Sequence, residues 1–272
     1  HQKLLLLVGP PRCGKGTICR ILQAILGKDN CSSPCLSSLG TNFGLMALLN
    51  KSVAIVPDAH LGRSADGTRI VEVIKSIVGE DCQNVDRKHR EILSSVRLRT
   101  RFVISCNEIA HFNDPSGALA ARISALSFFN SYEGREDHTL EGRLRAERPG
   151  ILNWSIIGLA RLRKVGRLNE PDRCRSVVAN FRNLASPISA FCEECIEFHP
   201  EFQGALTETA YAAWIAWTKA NGHESGCKAR FGERLRAVNP NVVKVRVRND
   251  AGEREYQYRG IRLTQAGLDF VV

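Results

Sequence analysis

Leu4-Leu5-Leu6-Leu7-Val8-Gly9-Pro10-Pro11-Arg12-Cys13-Gly14-Lys15-Gly16-Thr17-Ile18 is the stretch that decides the fold. It reads as a short apolar strand, a glycine-rich turn, a lysine, a threonine and the opening of an amphipathic helix. In that order, the turn's amides and the helix N-terminus form a nest for a polyphosphate. Gly9 and Gly14 supply backbone angles that a Cβ forbids, and Lys15 reaches for the β- and γ-phosphates as a point charge. The expected nucleotide cradle is therefore Gly9, Pro10, Pro11, Arg12, Cys13, Gly14, Lys15, Gly16, Thr17 and Ile18. The pattern departs from a phosphate loop in one place. Such loops carry Ser or Thr directly after the lysine to hold Mg²⁺. Here Gly16 stands there and the hydroxyl arrives at Thr17, so the metal is expected on Thr17, through water, or on a carboxylate elsewhere. A Gly-Lys-Gly-Thr ending also occurs in adenylate-kinase-like enzymes, so the loop alone leaves a kinase and an ATPase open.

Outward from this loop, residues 17–27 read as a helix with Ile18, Ile21, Leu22, Ile25 and Leu26 on one face. Residues 29–41 read as loop with a short turn of helix. Apolar runs at 52–56, 102–106 and 124–129 read as further strands, with helices at 70–78 and through 140–184. Strands alternating with helices predict a parallel, helix-covered sheet, an α/β P-loop domain. The second strand ends in Pro57-Asp58, where a carboxylate would hold Mg²⁺; Ala59 and His60 come next, so no water-activating acid is identified. The third ends at Asn107, beside the expected γ-phosphate, where an amide would orient the attacking water. Arg122 closes a short helix before the fourth strand and is placed to serve as a finger completing a neighbouring subunit's ATP site.

From about residue 187 the character changes. Residues 188–198, 209–220 and 228–237 read as helices, and 242–248 and 255–258 alternate in strand fashion around Asn249-Asp250-Ala251-Gly252. Helices followed by a hairpin predict a winged helix-turn-helix, giving domains 1–185 and 186–272. Lys228, Arg230 and Arg234 would lie on its recognition helix and Lys244 and Arg246 on its wing, all directed at DNA. The chain of 272 residues carries a formal net charge of +10, which permits a nucleic-acid partner without requiring one. Cys192-Glu193-Glu194-Cys195 with His199 resembles half a zinc site, but no second ligand pair stands at suitable spacing, and core thiols are the favoured reading. Trp214 and Trp217, one turn apart, are expected in a core. No apolar run approaches the ~20 residues of a membrane helix. No secretory pattern is present, so a cytoplasmic location in a bacterial or other host cell is expected.

The loop with Gly-Lys-Gly-Thr, the strand ending at Asp58, Ser105-Cys106-Asn107-Glu108, residues 114–122 and Pro149-Gly150-Ile151-Leu152-Asn153-Trp154 succeed one another in a known order. The chain thereby resembles the superfamily 3 helicase domain of phage, plasmid and poxvirus-type primase–helicases over residues 3–165. The C-terminal part is similar to their winged-helix tail. The resemblance implies an AAA+-like ATPase using ATP and Mg²⁺, a homo-hexameric ring on single-stranded or forked DNA, and an upstream primase domain in the full-length protein. It also implies a hairpin between the second and third strands that grips DNA; the matching stretch is 79–90, with Lys88 and His89 as the gripping residues. Two other readings stay open: an ATP-binding assembly switch at an origin, and an adenylate-kinase-like phosphotransferase.

Overall fold

The structure is a computed structural model that describes residues 1–57, 66–108, 114, 117–248, 252 and 254–271. Its chain divides into two compact units, His1–Asn113 with Ala118–Phe181, and Asp114–Gly117 with Arg182–Val272.

In the first unit the elements run β1 (Leu4–Val8), α1 (Lys15–Leu26), β2 (Cys31–Ser32), α2 (Leu36–Leu39), β3 (Val53–Val56), α3 (Asp66–Gly79), β4 (Cys82–Arg87) and β5 (Arg90–Arg97). They continue through β6 (Arg101–Cys106), β7 (Ile123–Ser127), α4 (Leu140–Ala146), α5 (Arg148–Val165) and α6 (Asp172–Ala185), whose last turn crosses into the second unit. Five strands form one parallel sheet in the order β2-β3-β6-β1-β7. Its strands are short and almost wholly apolar because both faces are covered. Leu7, Ile55 and Val103 pack with Cys19 and Leu22 of α1 on one face. By alternation, Leu4, Leu6, Ala54, Val56, Phe102 and Ile104 turn to the other, and all are buried. β1 is flanked by β6 and β7, so the segments leaving those two strands emerge beside the loop that leaves β1.

One strand of this unit departs from the sequence expectation, and the hairpin expected over 79–90 forms with shifted bounds. Cys31–Ser32, read as loop, adds an edge strand, its register set by β3 (Cys31 opposite Val53). Residues 82–97 form an antiparallel hairpin, β4–β5, with register shifts between Gln83 and Arg87. α5 buries none of its residues and leaves Trp154 71% exposed, with Ile156, Ile157 and Leu159 also uncovered.

The second unit runs α7 (Pro187–Cys195), β8 (Ile196–Phe198), β9 (Ala205–Leu206), α8 (Thr207–Ala220), α9 (Lys228–Val238), β10 (Val243–Arg248), β11 (Arg254–Arg259), β12 (Ile261–Leu263) and α10 (Gln265–Asp269). The helix expected over 188–198 stops at Cys195. Ile196–Phe198 instead pairs antiparallel with β12, and the Thr264 amide donates to the Cys195 carbonyl at 3.0 Å. A three-stranded antiparallel sheet forms in the order β10-β11-β9. Phe191 sits at the centre of the core, edge-on to Trp214, Trp217 and Phe231 with centroids 5.3, 5.8 and 6.1 Å away. The two tryptophans are thus core, as their spacing predicts.

Cys192 and Cys195 belong to the same core. Burial pushes both thiols up, Cys195 to about 12. Among the described residues no group of three or more His, Cys, Asp or Glu could hold a metal ion. Exposed Cys35 behaves oppositely. Hydrogen bonding to Ser37, then Ser38, lowers its thiol from 9.0 to about 7. Iodoacetamide labelling followed by mass spectrometry across pH 5.5–9 should therefore give a Cys35 midpoint near pH 7, with Cys192 and Cys195 unlabelled until the protein unfolds. A Cys35 profile centred at the ordinary thiol value would refute the assigned hydrogen bonding.

Candidate nucleotide site

The loop between β1 and α1 is shaped by three backbone demands. Gly9 lies against Phe128, where a Cβ would stand 2.5 Å from the Phe128 carbonyl oxygen and 2.7 Å from its Cβ. Gly14 takes φ +98° directly before the helix. Arg12 adopts φ +57°, a left-handed conformation uncommon outside glycine, aspartate and asparagine. The first intrahelical bond is Ile18 N–H to the Gly14 carbonyl at 3.1 Å. The amides of Lys15, Gly16 and Thr17 precede it, so they are donors of the kind that binds anions at a helix start.

Lys15 is 7% exposed. Its ammonium donates to the carbonyls of Gly9 (2.7 Å) and Pro10 (2.8 Å), to Oδ1 of Asn107 (3.1 Å) and to the Cys13 sulfur (3.4 Å). A buried charge needs such partners. Asn107 reaches it because β6 lies directly beside β1, pairing Val8 with Cys106. The two strand ends thus bring together residues 92 apart in the chain.

The loop opens on a cleft of about 760 Å³, at the carboxyl ends of the strands where parallel sheets bind ligands. Its far wall comes from the segment after β7. The Phe128 amide donates to the Val8 carbonyl (2.8 Å), Ser131 Oγ to the Pro11 carbonyl (2.9 Å), and the Tyr132 amide to the Arg12 carbonyl (3.2 Å). Arg12 Nε lies 3.7 Å from Glu136 Oε1 across the same gap. Arg135 and His138 line the cleft from this segment. α4 closes the remaining side through Glu141, which accepts from Arg20 (2.6 Å) and Arg145 (2.9 Å). Hydrogen bonds from Arg145 and then Arg20 hold its carboxyl below the usual carboxylate range. Arg20 also donates to Thr17 Oγ1 at 3.2 Å, so that hydroxyl is already hydrogen-bonded.

Sequence reasoning places Lys15 and Asn107 together, and the structure brings them together. It does not find Arg20, Tyr132, Arg135, Glu136, His138 or Glu141. The available signal is position, since the charged run at 133–138 comes after a parallel strand. Asp58 lies outside the described residues. Arg122 lies at the other end of the sheet. It ends a 3-10 turn (Ala120–Arg122) just before Ile123, which pairs with Leu4 at the start of β1, and its Nη1 donates to the Ala118 carbonyl at 3.0 Å. Four residue steps along β7, about 13 Å, separate that end from the loop end.

The remaining sequence-derived residues fall elsewhere. Lys88 and His89 form the two-residue tip of the β4–β5 hairpin, exposed, with His89 at φ +56° and Arg87 paired with Arg90 below them. In the second unit, exposed Arg230 and half-buried Arg234 lie on α9 and Lys244 and Arg246 on β10. Lys228 differs from expectation in that it is ion-paired with Glu208, and burial, then Lys244, lowers its ammonium from the usual range. Burial likewise lowers Arg234, with Arg230 adding to the effect.

Residues 7–122 match a family of unknown function, DUF5906. No curated protein matches the chain. Among solved structures, two of the NrS-1 C-terminal region are similar. Their TM-scores are 0.53 and 0.54 at 14% and 12% identity, over 95% and 96% of this chain and 67% of each of those. The chain thus spans about two thirds of their length. A JCV helicase aligns more loosely, with TM-score 0.40 and 18% identity over 68% of this chain and 57% of that one. At these identities the likeness is one of fold, the α/β unit with its five-stranded parallel sheet.

The contact at Gly9 sets the loop's path and can be tested without any ligand. Gly9→Ala should lower stability by about 1–3 kcal/mol through overpacking against Phe128. Gly142→Ala, within α4 and with open space around its Cβ position, should be neutral or stabilising by about 0.5–1 kcal/mol. Gly9→Ala should unfold at a lower temperature than wild type and Gly142→Ala at the same or a higher one; equal midpoints for the two variants would show that the close approach is not structural.

Proposed function

We propose that the chain is the ATP-hydrolysing motor of a superfamily 3 type DNA helicase from a phage- or plasmid-type replication primase–helicase. It would work as a ring, a homo-hexamer, that couples ATP hydrolysis to movement along single-stranded or forked DNA. The observation that carries the reading is the Lys15 ammonium, held at a strand end between loop carbonyls and the Asn107 amide oxygen. In this reading Lys15 exchanges those oxygens for the β- and γ-phosphates of ATP, the first-turn amides of α1 bind the same chain, and Asn107 orients the attacking water. Thr17 and Asp58 are the proposed Mg²⁺ ligands; the metal, when bound, neutralises phosphate charge.

Arg122 supports assembly. A group at the opposite end of β7 from its own loop acts in hydrolysis only on the site of another copy. Uncovered apolar side chains on α5 are a second feature that association would cover. Lys88 and His89 at a hairpin tip suit a sequence-tolerant, salt-sensitive grip on the phosphate backbone. For 186–272 the proposed module is a winged helix. The order α7, β9, α8, α9 and the β10–β11 hairpin, with β9 pairing onto β11, supports it. Arg230, Arg234, Lys244 and Arg246 would face DNA, with Lys228 contributing once released from Glu208.

Steady-state ATP turnover across protein concentration, with and without single-stranded DNA, tests this. Wild-type turnover should rise with DNA and with concentration. Lys15→Ala should be inactive, and Arg122→Ala should lose activity by about 10³-fold or more, the worth of such a finger. Mixing the two inactive variants should restore part of the activity, because each supplies what the other lacks. Phosphoryl transfer to a nucleoside monophosphate would instead indicate a kinase, and ATP binding without turnover an assembly switch.

A further inference from the structure

We infer that the β10–β11 hairpin is a single-stranded DNA contact in which the Tyr256 ring stacks on an unpaired base while Lys244 and Arg246 hold the neighbouring phosphates. The register pairs Lys244 with Tyr258, Arg246 with Tyr256 and Arg248 with Arg254. Directly paired residues share a face of an antiparallel ladder, and residues two apart along a strand return to it. One face of the hairpin therefore carries four cations and two tyrosines, and Glu255 falls on the other. The two tyrosines have opposite fates. Tyr258 is 2% exposed and packs in the core against Phe231, centroids 6.2 Å apart. Tyr256, one step further along the same face, is 46% exposed. Lys244 Nζ stands 4.5 Å from its ring centroid and Arg246 Cζ 5.8 Å.

An exposed aromatic set among cations is matched by a partner that alternates anionic groups with flat apolar ones. Nucleic acid does so, with each phosphate meeting a cation and each base offering a π-face. A carboxylate-rich protein would use the cations but leave the ring without a function. An unpaired base offers its face to a flat ring directly, whereas a duplex must first be unstacked, which favours a single strand. The inference rests on the proposed nucleic-acid role of the second unit, and not on ATP turnover.

The test is equilibrium binding of the full chain to a fluorescent 15-mer of deoxythymidine, to an abasic 15-mer with the same phosphates, and to a 15-base-pair duplex. Tyr256→Ala should weaken binding to the base-containing strand by about fivefold to a hundredfold. It should leave the abasic strand unchanged, while Tyr256→Phe retains wild-type affinity. Lys244→Ala with Arg246→Ala should weaken all three ligands and flatten the salt dependence. Unfolding midpoints equal to wild type establish that each variant is folded. If Tyr256→Ala binds the base-containing strand as wild type does, or loses equally on the abasic strand, the stacking inference fails and the phosphate contact stands. If the wild type binds none of the three, the nucleic-acid reading fails with it.

Discussion

The first unit is organised around one buried ammonium. Lys15 cannot be withdrawn from water without oxygens to receive its protons, and it finds them on two carbonyls of its own loop and on Asn107 of the adjacent strand. That requirement fixes the loop's curvature, since Gly9 and Pro10 must turn their carbonyls inward. It also fixes the sheet order, since Asn107 reaches Lys15 only with β6 beside β1. Gly9 closes the arrangement from the other flank, where the absence of a side chain lets Phe128 approach and ties the segment after β7 to the same loop. Three strands converge on one point, and the cleft is the space enclosed by the segments that leave them.

The parts of this arrangement legible in the sequence are those whose residue types are locally determined. Gly9 takes an ordinary backbone angle and is needed for the approach of Phe128, whereas a glycine at a left-handed angle (Gly14), a lysine at a helix start and near-continuous apolar strands announce themselves without knowledge of their neighbours. Strands β3, β6 and β7 are visible for that reason. Cys31–Ser32 is not, because two residues carry no periodicity and their strand character comes entirely from β3. Ile196–Phe198 continues an apolar helix pattern and becomes a strand only because β12 offers a ladder. Arg20 and Glu141, 121 residues apart, form one side of the cleft through a tertiary meeting that neither residue's local context encodes.

The second unit separates stability from display along a single hairpin. Its aromatic core, built on Phe191, Trp214, Trp217 and Phe231, takes Tyr258 as its link to the sheet. Beyond that anchor the same face turns to solvent and its composition becomes cationic. Within this unit the basic residues concentrate in 228–262, where ten Lys and Arg stand against four Asp and Glu, but they are not equally available. Lys228 is tied to Glu208 and Arg234 is partly desolvated, whereas Arg230 and the hairpin cations face water.

The placement of Arg122 has a consequence for symmetry. In the proposed motor each copy has a receiving pole at the loop end of its strands and a donating pole at the other end, with the length of β7 between them. A two-fold contact would pair the poles reciprocally between two copies and stop there, whereas the ring of the proposed motor needs head-to-tail association, each copy receiving from one neighbour and donating to the other. Repeated identically, that contact closes into a cycle or runs on as a helix. The sense in which successive sites can pass a signal is then written into the chain direction of one parallel sheet, before any ligand is bound.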